Sequence, residues 1–256
     1  MISTLQPHIR LGVENGASYA LLPGDPQRVD KVKKWLTDVE DLAFNREYKT
    51  ISGFYKNVKI LVTSTGIGGP SLAIALEELK NIGVNTMIRI GSCGALNAGI
   101  KLGELIIPSG AVRDEGTSEA YIEKHYPAIP DTDLLNCLLN SAKKFNFPFV
   151  NGIIRSHDSF YTDREEEKKE YWSKRGIIAS DMETSVLFVV GKLKALNVAS
   201  ILNVVVEAGG DTSDGINNYV DGQKESELGE DREIKTALEA IFEFNNQIIK
   251  EKEKSR

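Results

Sequence analysis

The sequence has few of the residues that build disulfide frameworks and metal centres. Its 256 residues include only two cysteines, Cys93 and Cys137, and three widely separated histidines, His8, His125 and His157. This spacing fits neither a CxxC pair nor a zinc motif, so we expect no metal site and no disulfide framework. The phosphate-loop motif GxxxxGK[ST] and the dinucleotide motif GxGxxG are also missing, which argues against a kinase or a dehydrogenase.

Long apolar runs and an excess of positive charge are missing as well. No apolar run approaches the ~18 residues of a membrane-spanning helix, and the N-terminus has no signal-peptide core. The formal net charge of −6 disfavours general binding to nucleic acid or to an anionic membrane surface. A hydrophobic content of 41% is ordinary for a globular protein, so we expect a cytoplasmic protein that binds a small molecule.

The chain does contain three glycine-rich segments, each next to a side chain that binds anions. They read Pro-Gly-Asp-Pro-Gln-Arg at 23–28, Ser-Thr-Gly-Ile-Gly-Gly-Pro-Ser at 64–71 and Arg-Ile-Gly-Ser-Cys-Gly at 89–94. Each follows or overlaps the end of a short apolar run that is typical of a strand. Glycine lets the backbone turn sharply and lets an anion approach peptide N–H groups. Three such turns near Arg28 and Arg89 predict one phosphate-sized anion at the rim of a sheet.

Strand and helix patterns alternate along the chain. After the second turn, apolar residues at i, i+3, i+4 and i+7 from Leu72 predict a helix that ends at Gly83, and a strand follows over 86–90. This βαβ pattern predicts an α/β fold with three layers, in which helices flank a central mixed, largely parallel sheet. Further strands are predicted at 19–22, 59–63, 105–108, 149–154 and 199–206, and helices at 133–145, 183–196 and 232–251. We found no linker or internal repeat, so we expect one domain over residues 1–256.

Two polar segments lie outside these strands and helices or at their edges. Residues 209–229 are rich in Gly, Asp, Asn and Ser, which fits either a mobile lid or a long surface loop. The charged run at 164–170 is typical of a solvated helix face.

With Asp-Met-Glu at 181–183, these segments make the chain resemble the hexameric nucleoside phosphorylase family, which includes bacterial-type purine nucleoside phosphorylases and uridine phosphorylases. The resemblance extends over nearly the whole chain and adds two ordered motifs, Asn-Arg-Glu at 45–47 and Asp-Ser-Phe-Tyr at 158–161. It implies phosphorolysis, in which inorganic phosphate attacks the sugar C1′ and the base leaves. This reaction needs an aligned phosphate, a held ribose and a stabilised leaving base.

The resemblance implies a phosphate site made of Gly24, Arg28, Arg89 and Ser92, with Arg46 supplied by a neighbouring subunit. Guanidinium groups suit phosphate oxygens, and the Gly24 N–H and the Ser92 hydroxyl add directed donors. Taken singly, Arg28 or Arg46 is more simply a surface ion pair. Arg89 is different, because it interrupts an apolar strand and a buried charge there is costly without a partner.

The resemblance places the ribose on Met182 and Glu183, with His8 supplied by the neighbouring subunit. The Glu183 carboxylate would accept hydrogen bonds from the ribose hydroxyls and favour a cationic sugar, although by itself it is also a helix-start carboxylate. Because His8 and Arg46 are borrowed, the resemblance implies a homo-oligomer, a dimer with shared active sites, and by family precedent a hexamer. It implies no metal and no organic cofactor; inorganic phosphate is a co-substrate.

The base site implied by the resemblance comprises Phe160, Asp181 and Glu207. Phe160 would stack on the base, and Asp181, which replaces the usual Glu of the family, would have a supporting role. Glu207 stands where purine-specific members have an Asp that protonates purine N7. That chemistry is feasible for Glu207 if burial raises its pKa, but an acid that ends an apolar run is equally a plain strand-end residue. Catalysis is thus assigned to Glu207, Arg89 and Glu183.

The identity of the base stays open between two readings. Uridine phosphorylases have a Gln and an Arg shortly after the Phe-Tyr pair, whereas residues 162–166 read Thr-Asp-Arg-Glu-Glu, with no Gln and with an acid in place of that Arg. Purine members also have an assisting Arg in the loop after the acid, and Lys224 is the only cation of 209–229. We favour purine nucleosides, 6-oxopurines before adenosine, with uridine phosphorylase as the alternative.

Two further alternatives carry less support. A nucleosidase uses water, which has no need of the guanidinium groups of Arg28, Arg46 and Arg89. A non-catalytic nucleoside-binding protein would tolerate the loss of Glu183 and of the phosphate donors, and all of these are present.

Overall fold

A computed structural model describes residues 5–210, 214, 215, 217 and 224–254. Nine strands lie in this part of the chain: β1 Tyr19–Pro23, β2 Thr37–Asn45, β3 Tyr48–Tyr55, β4 Val58–Thr63, β5 Thr86–Ala95, β6 Leu105–Asp114, β7 Phe149–His157, β8 Ala179–Asp181 and β9 Asn197–Val206. The helices described are α1 Pro26–Val32, α2 Gly69–Asn81, α3 Thr117–Tyr121, α4 Thr132–Lys144, α5 Glu165–Ser173, α6 Thr184–Leu193 and α7 Lys224–Lys254. Much of the predicted lid or loop at 209–229, namely 211–213, 216 and 218–223, lies outside the described residues.

The strands form one mixed sheet with an open half and a closed half. The open half has the order β2-β3-β4-β1-β5, and β1 is parallel to both β4 and β5. In the closed half, β5 pairs with β9 and β8, and β7 and β6 complete a ring of five strands. Strand β5 belongs to both halves, because its first residues pair with β1 and its last two pair with β8.

Helices cover both faces of the sheet, so the predicted α/β fold with a mixed, helix-flanked sheet is confirmed. On one face α2 and α6 bury Leu72, Leu76 and Val189, and on the other α4 and α7 bury Leu138 and Leu238. A third apolar cluster, which includes Cys93, Ile106, Ile154, Leu202 and Val204, is formed by strands of the ring. Full burial of each such aliphatic side chain contributes roughly 1.5–3 kcal/mol.

The structure contains elements that were not predicted, among them α1, α3 and β8, and three further differences have a clear physical reason. The antiparallel hairpin β2–β3 was not predicted, because most of β2 faces solvent, is polar and contains two register shifts. The third glycine-rich segment is not a turn: β5 stays extended to Ala95, since Gly91 to Gly94 pair with β9. Helix α7 begins eight residues before the predicted start at 232, where Ser226 and Gly229 are already buried.

Candidate active site

A cavity of about 810 Å³ opens where the carboxyl ends of β1 and β4 meet the middle of β5. Because these strands are parallel neighbours, all three glycine-rich segments reach the same edge. The Gly66 N–H donates to the Gly24 carbonyl at 2.9 Å and ties the first two together. The volume suits a small-molecule site. Nine of the predicted site residues line it, namely Gly24, Arg28, Arg89, Ser92, Phe160, Asp181, Met182, Glu183 and Glu207.

Arg28 enters the cavity from the first turn of α1. Asp25 caps this helix by accepting from the Gln27 N–H at 2.8 Å, and Pro26 occupies the first helical position, an arrangement that starts a helix sharply. The guanidinium is only 3% exposed; it donates to the Ile90 carbonyl and to the Ser92 hydroxyl, both at 3.0 Å. These bonds place two predicted phosphate ligands, Arg28 and Ser92, side by side.

Arg89 is buried, and two acids hold it in place. Its Nε donates to Asp181 at 3.2 Å and its Nη2 to Glu183 at 2.5 Å. Gly91 is required beside it, because a Cβ there would lie 2.5 Å from Nη2. Nη1 is buried and makes no hydrogen bond to any described residue, and it lies 4.0 Å from the point where a Cβ on Gly24 would stand. A buried donor of this kind is costly unless a ligand satisfies it.

Glu183 links three elements of the site. One carboxylate oxygen accepts from the Gly68 N–H at 2.6 Å, and the other accepts from Arg89. Burial raises the pKa of Glu183, and the Arg89 charge opposes that shift. Although Glu183 stands at the start of α6, its side chain makes no capping hydrogen bond there and is held instead by Gly68 and Arg89.

Asp181 is the acid that binds the start of α6. Its carboxylate accepts from the Thr184 N–H, from the Thr184 hydroxyl at 2.6 Å and from the Ser156 hydroxyl at 2.6 Å, besides Arg89. With four protein donors on two oxygens, Asp181 is suited to orient Arg89 more than to contact a base.

Glu207 and Phe160, the residues predicted to bind the base, also line the cavity. Glu207 follows β9, where it accepts from the Leu102 N–H at 3.2 Å and lies 3.4 Å from Lys101 Nζ. Its side chain is 39% exposed, so the burial that the acid role required is not found. Phe160 is half-buried and its ring centroid lies 4.9 Å from that of Tyr161, edge to face.

A second buried arginine and its partners were not predicted from the sequence. Arg155, on β7, is fully buried and donates to Glu165 at 2.8 Å and to Asp114 at 2.8 Å. Glu165 is the first residue of α5 and faces the cavity, whereas Glu166 is 83% exposed and bonds Lys169. The available signal was a charged residue inside an apolar strand, Ile-Ile-Arg at 153–155, the same signal that singled out Arg89.

His157 also lines the cavity and was not assigned a role from the sequence. Burial lowers the pKa of His157, and the neighbouring Arg155 charge adds to this effect, so the neutral ring is favoured. Nδ1 lies 3.1 Å from the Ser159 carbonyl, which assigns the proton to Nδ1 and leaves Nε2 as an acceptor. Nε2 lies 4.0 Å from the Glu165 carboxylate.

His8 and Arg46 do not line this cavity. His8 is bound by Glu78, with 2.6 Å between Nδ1 and Oε1, and its carbonyl accepts from the Asn45 amide at 2.8 Å. Arg46 follows Asn45 at the exposed turn between β2 and β3, with a φ of 55°. The two residues therefore lie near one another on the surface.

Among the described residues, no group of three or more His, Cys, Asp and Glu side chains is placed to hold a metal ion. None of the helices in the same part of the chain is both long and apolar enough to span a membrane.

Comparison with known proteins agrees with this geometry. Residues 18–241 match the family model described as the phosphorylase superfamily. Guanosine phosphorylase of Halorubrum lacusprofundi is 38% identical over 78% of this chain and 82% of its own. The structure of uridine phosphorylase from Vibrio fischeri superposes with a TM-score of 0.88 at 45% identity, covering 94% of this chain and 97% of the other. Purine nucleoside phosphorylase from Toxoplasma gondii, solved with immucillin-H, gives 0.86 at 27% identity, covering 96% and 99%.

Proposed function

The chain belongs to the phosphorylase superfamily and is a nucleoside phosphorylase, a pentosyltransferase, and we propose that its preferred substrates are purine nucleosides, 6-oxopurines before adenosine. Inorganic phosphate is the co-substrate, and the products are the free base and (deoxy)ribose 1-phosphate. One observation carries the placement of phosphate: the buried Arg89 Nη1 beside Gly24, which has no hydrogen-bond partner among the described residues.

In this proposal, Arg28, Arg89, Ser92 and the Gly24 N–H hold the phosphate. Arg28 and Ser92 are already bonded at 3.0 Å, so little side-chain freedom is lost when the anion binds. Donors fixed in a site sheltered from water stabilise charge more strongly than donors in bulk water. The cradle thus aligns one phosphate oxygen for attack on C1′.

Met182 and Glu183 hold the ribose. Each carboxylate oxygen of Glu183 accepts one protein hydrogen bond and retains a lone pair for a ribose hydroxyl. As the bond to the base breaks, positive charge develops on the sugar, and the adjacent carboxylate stabilises it.

The base preference rests on the acceptors around Phe160. The Glu165 carboxylate and His157 Nε2 both accept hydrogen bonds, and both residues line the cavity. Guanine and hypoxanthine carry an N1–H that suits an acceptor, and adenine has none. Arg164 is bonded to Glu167 and is 70% exposed, so the segment after Phe160 directs no arginine to the base.

The acid assigned to the leaving base is Glu207, which at 39% exposure should assist the base less than a buried acid would. It reaches the cavity beside Lys101 and Leu102, and in its protonated form it would donate to purine N7. Lys224 begins α7, is exposed and does not line the cavity formed by the described residues, which gives no support to its substituting for the family arginine.

Uridine phosphorylase activity on the same site is the second candidate. The specific observation in its favour is the 45% identity to the uridine phosphorylase of Vibrio fischeri, which exceeds the 27% to the purine enzyme of Toxoplasma gondii.

We further infer a homodimer in which each subunit lends His8 and Arg46 to its neighbour's cavity. These residues lie together on the surface and outside their own cavity, which is the arrangement that lending requires. Assembly into a hexamer, the single domain over 1–256 and the cytoplasmic location stay predictions.

The test is base release from inosine, guanosine, adenosine and uridine, each with and without inorganic phosphate. We expect phosphate-dependent release of hypoxanthine and guanine to be fastest. Faster uracil release would select the second candidate, and release without phosphate would mean hydrolysis and contradict the phosphate cradle. Mixing the R46A and R89A variants in one preparation tests the lending: in a hybrid dimer the R46A subunit keeps its own Arg89 and borrows Arg46 from the R89A subunit, so one site is intact and activity should recover. H8A mixed with R46A is the control, because each hybrid site still lacks one lent residue. No recovery with R46A and R89A would contradict the lending.

A further inference from the structure

Two acids of α7 lie behind the phosphate cradle without lining the cavity. Glu230 and Glu233 are 1% and 0% exposed; Glu230 Oε1 lies 3.7 Å from Arg28 Nε, and Glu233 Oε2 lies 3.9 Å from Arg28 Nη1. Both separations exceed a hydrogen bond. Within the described part of the chain, neither Glu233 oxygen makes a hydrogen bond of standard geometry.

Charged groups of both signs surround Glu233, and the nearby cations also pair with other acids. Arg28 faces it from α1, Arg89 and the Gly91 N–H face it from β5, and Glu230 faces it from its own helix. The thiol of Cys93 lies on β5 as well, and its pKa is raised by burial, with Asp181 and Glu233 adding to the shift. Glu230 is bonded by Lys31 at 3.1 Å, while Arg89 is held by Asp181 and Glu183.

Burial favours the protonated form of Glu233. Its complete burial raises its pKa to about 8, with Arg28 opposing the shift and Glu230 adding to it. A buried carboxyl beside another acid is expected to hold its proton, so Glu233 is mainly neutral near pH 7.

We propose that Glu233 is a positioning residue of the phosphate subsite: as a neutral acid it leaves the charge of Arg28 to the phosphate, and as a carboxylate it competes with the phosphate for Arg28. This inference rests on the proposed phosphate site. It follows from the geometry, because the Glu233 carboxyl and the Ser92 hydroxyl are both neighbours of the Arg28 guanidinium.

Phosphate binding should therefore weaken as the pH rises. Below about pH 8 Glu233 is protonated and phosphate binds tightly; as the pH rises through about 8, affinity falls. Glu233 lies behind Arg28, so its charge is farther from the phosphate than the 3.9 Å that separates it from Arg28. A charge roughly 7 Å from another changes an affinity about threefold even at the dielectric of bulk water. We expect the KM for phosphate to rise about threefold or more from pH 7 to pH 9.5, with a smaller change in kcat.

The experiment compares the phosphate KM across this range in the wild type, in E233Q and in E243Q. Glu233→Gln mimics the neutral acid and should flatten the rise. Glu243→Gln is the matched control, because Glu243 lies on the same helix, is 40% exposed and bonds Lys144; it should keep the wild-type rise. An equal rise in E233Q and the wild type, or no rise in the wild type, would overturn the proposal.

A second measurement needs no variant and no turnover. Sulfate does not titrate in this range, so calorimetry of sulfate binding at pH 8 in two buffers of different ionisation enthalpy reports protons taken up by the protein. Uptake of a fraction of a proton supports the proposal, and no uptake overturns it even if E233Q fails to fold. Sulfate binding also distinguishes failure of the proposed function from failure of the proposed role of Glu233. If the protein binds sulfate with the expected pH dependence but catalyses no phosphorolysis, the function is rejected and the role of Glu233 in anion binding stands.

Discussion

Two glutamates of α7, six residues apart, show how different one buried acid is from another. Glu233 and Glu239 are both 0% exposed. Burial alone would raise the pKa of Glu239, but hydrogen bonds from Lys144, Lys56 and Tyr55, each at 2.7 Å, bring it to about 2. The pKa of Glu233 is instead raised to about 8. Both acids are buried, so the difference in their charge comes from their hydrogen-bonding partners.

The two regions differ in how completely their charges are satisfied. At Glu239 the two lysines are 46% and 51% exposed, so the cations keep much of their hydration while the carboxylate gains three donors. That arrangement avoids most of the desolvation cost of a buried pair. At the cavity, Arg89 Nη1 has no partner among the described residues. The Glu239 region is complete without a ligand, and the cavity region is not.

Arg89→Ala should have the largest effect. It removes the unsatisfied donor and leaves Asp181 and Glu183 without their cation, so phosphate-dependent kcat/KM should fall about 1,000-fold or more. Arg89→Lys keeps the charge without the planar fork and should recover only part of the loss. Steady-state kinetics with inosine and phosphate measure both, and turnover within tenfold of the wild type in R89A would refute the cradle.

Glu183→Ala should rank next. Loss of the carboxylate removes the ribose ligand and the charge that favours a cationic sugar, so kcat/KM should fall about 100-fold. Circular dichroism should still show a folded protein. Glu167→Ala, at an exposed acid paired with Arg164, is the control and should stay fully active; equal activity of the two variants would remove Glu183 from the site.

Glu207→Ala should separate the two base hypotheses. General-acid assistance typically contributes about 100-fold or more, and a half-exposed acid should give less, so we expect the kcat for inosine to fall about tenfold. Uridine turnover should not change, because uracil has no N7. Lys101→Ala removes the cation beside Glu207 and should leave the inosine rate nearer the wild type. An unaltered inosine rate in E207A would exclude the acid role.

Glu239→Gln should give the smallest change in rate and a change in stability instead. Losing hydrogen bonds from two charged donors should lower the free energy of unfolding by about 1–3 kcal/mol at pH 7, with unaltered turnover of the folded enzyme. Because the folded pKa of Glu239 lies near 2, below the unfolded value near 4.3, its contribution is present above about pH 4.3 and is lost as the pH falls towards 2.

Chemical denaturation of the wild type and E239Q from pH 2 to pH 7 measures this difference. A constant difference over that range would contradict the ion-pair explanation. The sign at Glu233 is opposite, since its folded pKa of about 8 lies above the unfolded value near 4.3, and stability there is lost as the pH rises from about 4.3 to about 8. E233Q should therefore gain on the wild type over that range and keep a constant advantage above it.

A large part of the fold could be predicted from short-range patterns in the sequence. The α2 face beginning at Leu72 and strands β1, β4 and β5 follow from side-chain periodicity over a few residues. The meeting of the glycine-rich segments follows from the same pattern, because parallel strands end at one edge. Arg89 stood out because a charge in an apolar strand demands partners, and Arg155 could have been found in the same way.

The family, the α/β class and the edge of the sheet at which the glycine-rich segments meet could be predicted from the sequence, since motifs and periodicity are local properties. Tertiary structure alone decided the closure of the five-stranded ring, the turn of Glu165 towards Arg155 and the pairing of Arg28 with Glu233. Arg28 and Glu233 are separated by 205 positions in the chain, since 233 − 28 = 205. The charge of such an acid depends on its burial and its neighbours, which exist only once the chain has packed.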